Sequence, residues 1–175
     1  MSGDDVTYTY MESLVGPIML ARVDAGLTHI LFQNSKYPAK IREGWRRDDA
    51  PLREAIDQLR AYFAGKRVEF NLPLAPGGTP FQKKVWAALC EIPCGETRNY
   101  GELATHIGFP DASRAVGAAN GRNPIAIVVP CHRVIGANGK LTGYAGGLSI
   151  KQALLEHEAR MIKRPGEQLA MALPG

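Results

Sequence analysis

Hydrophobic and polar residues alternate in the first third of the chain and then recur every three or four positions, and this change of period organises the sequence. Thr7 to Met11, Ile18 to Val23 and Leu27 to Phe32 read as strands, with Asp24-Ala25-Gly26 supplying turn chemistry between the last two. A small antiparallel sheet follows. A helix is predicted from Pro51 to Ala64: proline suits its first turn, Leu52, Ile56, Leu59 and Phe63 share a face, and Gly65 stops it. Leu72 to Thr79, with Pro73, Pro76, Gly77 and Gly78, reads as a linker. We therefore expect an α/β unit over residues 1–75, a second unit over 76–165, and a tail over 166–175 containing Gly166 and Pro174.

The second unit announces its helices through their caps. Thr79 and Gln82 form a capping box ahead of Phe81, Val85, Trp86 and Leu89, and Asn99 with Glu102 does the same for a helix from Tyr100 to Ile107, ended by Gly108. A third helix is predicted from Ala112 to Asn120. Two short helices joined by a tight glycine-containing turn match a helix-turn-helix, whose second helix enters a DNA groove. That second helix, Ser113-Arg114-Ala115-Val116-Gly117-Ala118-Ala119, is rich in small residues, which suits either close helix packing or close approach to a narrow partner. The apolar run Ile125 to Val129 reads as a buried strand that delivers Pro130-Cys131-His132-Arg133. Gly136 to Gly147 is a glycine-rich loop, and Ser149 with Gln152 opens a last helix that carries Glu158 and continues through Ile162.

Composition narrows the class. The chain has 175 residues, 45% of them hydrophobic, enough for a substantial core. Cys90, Cys94 and Cys131 cannot all pair, and the amino terminus lacks the basic start and apolar stretch of a secretory signal, so a cytoplasmic protein with reduced thiols is expected. No apolar segment reaches the ~20 residues of a membrane span. The net charge of +4 lies in the second part: residues 1–75 hold ten basic and ten acidic residues, residues 76–175 eleven and seven. A positive bias around the thiol suits a polyanion, although many basic proteins share it.

Candidate chemistry centres on Cys131. A thiol becomes a good nucleophile when a histidine accepts its proton, directly or through water, and a carboxylate orients the imidazole. Cys131, His132 and Glu158 offer these roles. Neighbours on a strand point to opposite faces, so the pair needs a bend at Pro130 or a bridging water. The alternative is a small core cysteine beside a surface histidine. Cys90 and Cys94 are spaced for one helical face, but no second Cys or His pair completes a metal site, and core or partly buried thiols are expected there. His29, His106 and His157 stand alone in sequence.

Pro130-Cys131-His132-Arg133-Val134-Ile135-Gly136, preceded by Arg114-Ala115-Val116-Gly117 and Asn123-Pro124 and followed by Gly143-Tyr144-Ala145-Gly146-Gly147-Leu148, resembles the O6-alkylguanine-DNA alkyltransferases. The motifs fall in family order and spacing from Thr79 to Glu158. Ser13-Leu14-Val15-Gly16-Pro17-Ile18 and Gly26-Leu27 are similar to the family's first domain. The resemblance implies an α+β protein, with an antiparallel sheet and helix of ribonuclease H type followed by a mostly helical domain of winged-helix type. It implies direct repair: an alkyl group moves from guanine O6 in duplex DNA to Cys131, irreversibly, once per molecule, with no cofactor and no metal.

By the same resemblance, Arg114 enters the base stack in place of the extruded nucleotide, and Ser113, Ala115 and Gly117 lie in the minor groove. Tyr100 crowds a phosphate and hydrogen-bonds the purine ring. Val134 and Cys131 carbonyls accept from the exocyclic amine, the Ala145 amide donates to O6, Tyr144 forms a wall, and Lys151 lies near the pocket. Asn123 fixes the turn before the nucleophile, while His132 and Glu158 draw its proton through water. Gln82, the Gly101 amide and Ala137 contact phosphates. The implied partner is double-stranded DNA bearing O6-alkylguanine, with a monomer expected in solution and cooperativity on DNA left open. Ala145 stands where some relatives have serine. Ala126, where some have proline, suggests a roomier pocket; neither a zinc-binding set nor an appended regulatory domain is expected. Two competitors remain, a lesion-binding relative that does no chemistry and a cysteine hydrolase using the same three residues.

Overall fold

A computed structural model describes residues 5–35, 38–141, 144 and 147–167, with side chains considered through residue 162. The three expected strands form as β1 (Thr7–Met11), β2 (Ile18–Val23) and β3 (Gly26–Phe32), antiparallel in the order β3-β2-β1. β1 buries Thr7, Thr9 and Met11 on one face, the period expected of a half-covered strand. The pattern did not reveal β4 (Arg46–Arg47), two exposed residues that pair parallel with β1 and make the sheet mixed. A two-residue strand is too short to carry a period.

The predicted helix divides into a 3₁₀ turn over Ala50–Leu52, holding Pro51, and α1 (Arg53–Phe63). Gly65, at φ +79°, ends α1: its amide bonds the Tyr62 carbonyl at 3.0 Å, and the Lys66 amide bonds Ala61 at 2.9 Å. The buried face is rotated from the one expected. Ala55, Gln58 and Tyr62 join Ile56 and Leu59 inside, whereas Phe63 is only partly buried. Gln58 is satisfied there by Asn71, whose amide it accepts at 2.9 Å and whose carbonyl it donates to at 3.1 Å. The linker makes a parallel bridge from Leu74 to Leu27, next to Gly26, where a Cβ would meet the Pro73 carbonyl oxygen at 2.5 Å.

Both capping boxes form. Thr79 accepts from the Gln82 amide and starts α2 (Pro80–Leu89); Asn99 accepts from the Glu102 amide at 2.8 Å and starts α3 (Tyr100–His106). Gly108, at φ +89°, closes α3, and after the turn comes α4 (Ser113–Gly121). These three helices pack on one another, with the Trp86 indole of α2 donating to the Ala119 carbonyl of α4 at 2.9 Å. β5 (Arg98–Asn99) and β6 (Val134–Ile135) pair parallel beside them. The last helix, α5 (Leu148–Glu167), begins one residue before Ser149, which therefore lies in the first turn and is not its cap, and it extends beyond the expected end into the residues assigned to the tail. The buried apolar cluster is continuous from Met11 of β1 to Met161 of α5. None of the helices among the described residues is long and apolar enough to cross a membrane.

Candidate active site

The segment expected to be a strand is a compact coil. Only Ile125 makes a bridge, to Ile30 of β3; the Val128 amide bonds Ala126 at 2.8 Å, Val129 bonds Ile125 at 3.0 Å, and Cys131 bonds Val129 at 2.8 Å. Ile127 takes φ +72°, a conformation that opposes its branched side chain, and Pro130 at φ −82°, ψ 65° forms an inverse γ-turn. An apolar run reports burial, not extension. Burial is indeed what these residues share: Ile125, Ala126, Ile127 and Val129 are all in the core. The chain then enters a 3₁₀ turn, Cys131–Arg133, so the cysteine and histidine are not on alternating strand faces.

Asn123 holds this coil together. Its side-chain oxygen accepts from the Ile125 amide at 3.0 Å, and its amide donates to the Val129 carbonyl at 2.8 Å and to Cys131 Sγ at 3.1 Å. One side chain thus shapes the turn and touches the thiol. Asn120, which sequence reasoning did not single out, donates to the Cys131 carbonyl at 3.4 Å from the last turn of α4.

Behind the thiol lies a buried polar network. His132 Nε2 meets Glu158 Oε2 at 2.7 Å with both side chains fully buried. Arg133 clamps the same carboxylate, Nε to Oε1 at 2.8 Å and Nη2 to Oε2 at 2.9 Å, and its Nη1 donates to the Ile92 carbonyl at 2.7 Å. Tyr62 of α1 donates its hydroxyl to Oε2 at 2.6 Å. Burial alone pushes Glu158 up, but the hydrogen bonds and charges of His132 and Arg133 outweigh it and hold the carboxyl well below its usual range. Because the carboxylate can only accept, the facing Nε2 carries the ring proton; Nδ1 is then the basic atom, and it is buried without a hydrogen-bond partner among the described residues. Burial lowers the pKa of His132, so the ring rests neutral at pH 7.

Burial likewise raises the Cys131 thiol, opposed by the Asn123 hydrogen bond, the nearby Tyr144 hydroxyl and the Lys151 charge. The resting sulfur is a thiol, and its proton must leave during the reaction. Tyr144 has a buried hydroxyl whose contact with the sulfur falls short of a full hydrogen bond, and its ring lies 5.7 Å from Lys151 Nζ. Lys151, fully buried, donates to the Val134 carbonyl at 2.6 Å, which takes up one of that oxygen's two lone pairs.

The remaining candidates lie around α4. Arg114 and Ala115 are exposed, while Ser113 and Gly117 are partly covered; a Cβ on Gly117 would lie 3.7 Å from the Tyr100 ring. Gly101 sits in the first turn of α3, and a Cβ there would approach Ser113 Oγ at 3.7 Å, so α3 and α4 present these residues together. Gln82 is partly exposed with Oε1 committed to its cap, accepting the Thr79 amide at 3.0 Å. Ala137 is exposed in the loop after β6. Ala145 lies outside the described residues, as do its neighbours Gly143 and Gly146. Cys90 is exposed, not partly buried as expected, because it caps the end of α2; Cys94 is half-buried. Among the described residues no group of three or more His, Cys, Asp or Glu side chains is arranged to hold a metal ion.

Comparison with known proteins identifies the family. Residues 6–76 match the model of the 6-O-methylguanine DNA methyltransferase ribonuclease-like domain, and residues 80–160 that of the 6-O-methylguanine DNA methyltransferase DNA binding domain. A methylated-DNA–protein-cysteine methyltransferase of Methanosarcina mazei is 57% identical over 156 residues, covering 89% of this chain and 99% of the relative. One from Mycobacterium tuberculosis is 53% identical over 153 residues, covering 87% and 92%. The crystal structure of Mycobacterium tuberculosis OGT in complex with DNA aligns with a TM-score of 0.83 at 52% identity, over 89% of this chain and 94% of that one. A Methanococcus jannaschii O6-methylguanine DNA methyltransferase shares the fold at a TM-score of 0.61 and 24% identity. On these grounds the chain belongs to the methylated-DNA–protein-cysteine methyltransferase family.

Proposed function

We propose that this protein repairs DNA directly, transferring the alkyl group of O6-alkylguanine to Cys131 in a single irreversible turnover. The observation that carries this reading is a buried thiol, held by Asn123, in the same 3₁₀ turn as a neutral histidine backed by a buried carboxylate. Sulfur attacks the alkyl carbon in line with the C–O6 bond; the S–C bond forms as C–O6 breaks. The thiol proton passes through water to His132 Nδ1, and Glu158 stabilises the imidazolium. The departing guanine anion takes a ring proton from the Tyr100 hydroxyl and leaves as a neutral base; the tyrosinate regains a proton from water, to which the His132 imidazolium gives up its own. Water does not displace the thiolate from the thioether so formed at neutral pH, so the protein is spent.

The lesion must leave the base stack to reach a buried sulfur. We assign that work to α4 in the minor groove, with Arg114 filling the gap and Ser113, Ala115 and Gly117 allowing close approach, while Gln82, Gly101 and Ala137 meet phosphates. In the pocket, Tyr144 forms a wall, Lys151 orients the Val134 carbonyl, and the Val134 and Cys131 carbonyls accept from the exocyclic amine. The Ala145 amide is assigned to O6. Residues 1–75 serve as the ribonuclease-like unit and 76–165 as the DNA-binding and transfer unit of a cytoplasmic monomer whose free thiols stay reduced. The test is intact-protein mass after incubation with duplex DNA containing O6-methylguanine. One added methyl group, absent in Cys131→Ser, is expected; no gain in the unsubstituted protein overturns the assignment.

A further inference from the structure

Tyr62 belongs to none of the motifs that resemble the family, yet it touches the relay. It lies at the end of α1, in the ribonuclease-like part, 96 residues before Glu158, and its hydroxyl reaches Glu158 Oε2 at 2.6 Å, the oxygen that also faces His132. Two features fix the phenol. The glycine-capped end of α1 sets its backbone, with the Gly65 amide on the Tyr62 carbonyl at 3.0 Å, and His157 Nε2 meets the same carbonyl at 2.7 Å from α5. Its fully buried ring is packed edge-on against Phe63 and His157, with centroids at 5.1 and 5.2 Å, and tilted against Phe70 at 5.6 Å. A tyrosine held only for packing does not need its hydroxyl aimed at a catalytic carboxylate.

We infer that Tyr62 is a positioning residue for alkyl transfer, by which the amino-terminal unit sets the orientation and basicity of Glu158 and, through it, of His132. The inference rests on the alkyl-transfer reading above. A donor on a carboxylate draws off part of its negative charge. Glu158 Oε2 shares that charge among Tyr62, His132 and Arg133, so the hydroxyl limits how strongly Glu158 holds a proton on His132. Among the described residues, the charged and titratable groups facing this point are Arg133 from the 3₁₀ turn, Cys94 from the loop after α2, Tyr144 from the loop before α5, and Lys151 and His157 from α5. None of them takes the place of the phenol on Oε2. Without the hydroxyl the carboxylate is less well fixed and more basic, and His132 holds its proton to higher pH.

Tyr62→Phe removes one oxygen and keeps the ring. Single-turnover transfer is to be measured from free O6-benzylguanine and from duplex DNA containing O6-methylguanine, across pH 5–9, at a temperature where unfolding curves show both proteins folded. We expect the rate to fall roughly tenfold by the same factor on both substrates, with the acid limb of the profile moved to higher pH by a few tenths of a unit. The final yield of one alkyl group per molecule is unchanged. Phe70→Leu, which loosens the ring but keeps the hydroxyl, lowers the melting temperature and leaves the acid limb in place. If Tyr62→Phe does not fold, 3-fluorotyrosine placed at position 62 provides the same test with opposite sign: a stronger donor moves the acid limb to lower pH. An unmoved limb, or a loss confined to duplex DNA, overturns the role of Tyr62. Absence of any methyl gain in the unsubstituted protein overturns instead the reading on which it rests.

Discussion

Glu158 and Arg114 show how differently the two sides of this site are built. The carboxylate of Glu158 is fully buried and accepts from Tyr62, His132 and both arms of the Arg133 fork. Arg114, at the exposed start of α4, makes no hydrogen bond or ion pair among the described residues, and its neighbours are alanine, serine and glycine. Proton transfer in a buried site requires groups fixed before the reaction, because little there can reorganise cheaply. A surface that must enter a groove requires the opposite, small side chains and a long one left free to insert. Substitutions on the first side should therefore damage folding and chemistry together, whereas those on the second should separate them.

The largest expected effect tests the first half of that statement. Glu158→Gln leaves the buried Arg133 without a counter-charge, and breaking such a pair costs about 3–5 kcal/mol of stability, measurable by urea unfolding. Alkyl transfer from free O6-benzylguanine should drop by roughly a hundredfold or more in the same variant, as the imidazolium loses its stabilising charge. An active, fully stable Glu158→Gln protein breaks the comparison.

Arg114→Ala tests the second half. Transfer from duplex DNA should slow by about two orders of magnitude, while reaction with free O6-benzylguanine, which needs no extrusion, stays within about twofold. Stability should change by less than about 0.5 kcal/mol, since the side chain is exposed and unpartnered. Equal losses on both substrates would place Arg114 with the relay, not with the groove-facing surface.

The pH dependence of stability sharpens the same contrast. Burial lowers the pKa of His132 below its ordinary 6.5, and its ion-pair partners lower Glu158 below its ordinary 4.5. Both groups bind more protons unfolded than folded, so their contributions are complete above the unfolded pKa values and are lost as pH falls. Stability should begin to decline below about pH 6.5 and steepen below about pH 4.5. In Glu158→Gln the steep part should flatten; in Arg114→Ala the curve should overlay that of the unsubstituted protein. Unfolding midpoints across pH 3–8 test this.

The two sides also differed in how legible they were. The caps of α2 and α3 could be read directly, because Thr79 with Gln82 and Asn99 with Glu102 interact over three residues and need no tertiary structure. The small face of α4 is equally local. The relay is only half visible: Cys131 and His132 are adjacent and Glu158 stands out as a carboxylate on the last helix, but Tyr62, Arg133 and Asn120 act across 96, 25 and 11 residues. Tyr62 was hidden further because Phe63 fits the same helical spacing and looks the better core residue. The coil at Ile125–Pro130 looks like a strand in sequence for a different reason. Its shape comes from Asn123 and from a positive φ at Ile127, neither of which alters the apolar pattern.

The smallest effect discriminates most finely, because it should improve the fold and impair the function. Gly117 lies inside α4 with ordinary helical dihedrals, and an added Cβ would lie 3.7 and 3.8 Å from Tyr100 ring carbons, which is normal van der Waals contact. Gly117→Ala removes the entropic penalty of glycine in a helix and should stabilise the protein by about 0.5–1 kcal/mol. The same methyl thickens the face proposed to enter the minor groove and presses on the tyrosine proposed to turn the nucleotide. Transfer from duplex DNA should slow a few-fold, while transfer from free O6-benzylguanine should be nearly unchanged. A stabilised variant with full duplex activity would mean that the small residues of α4 serve its packing against α2 and α3 and not its approach to DNA.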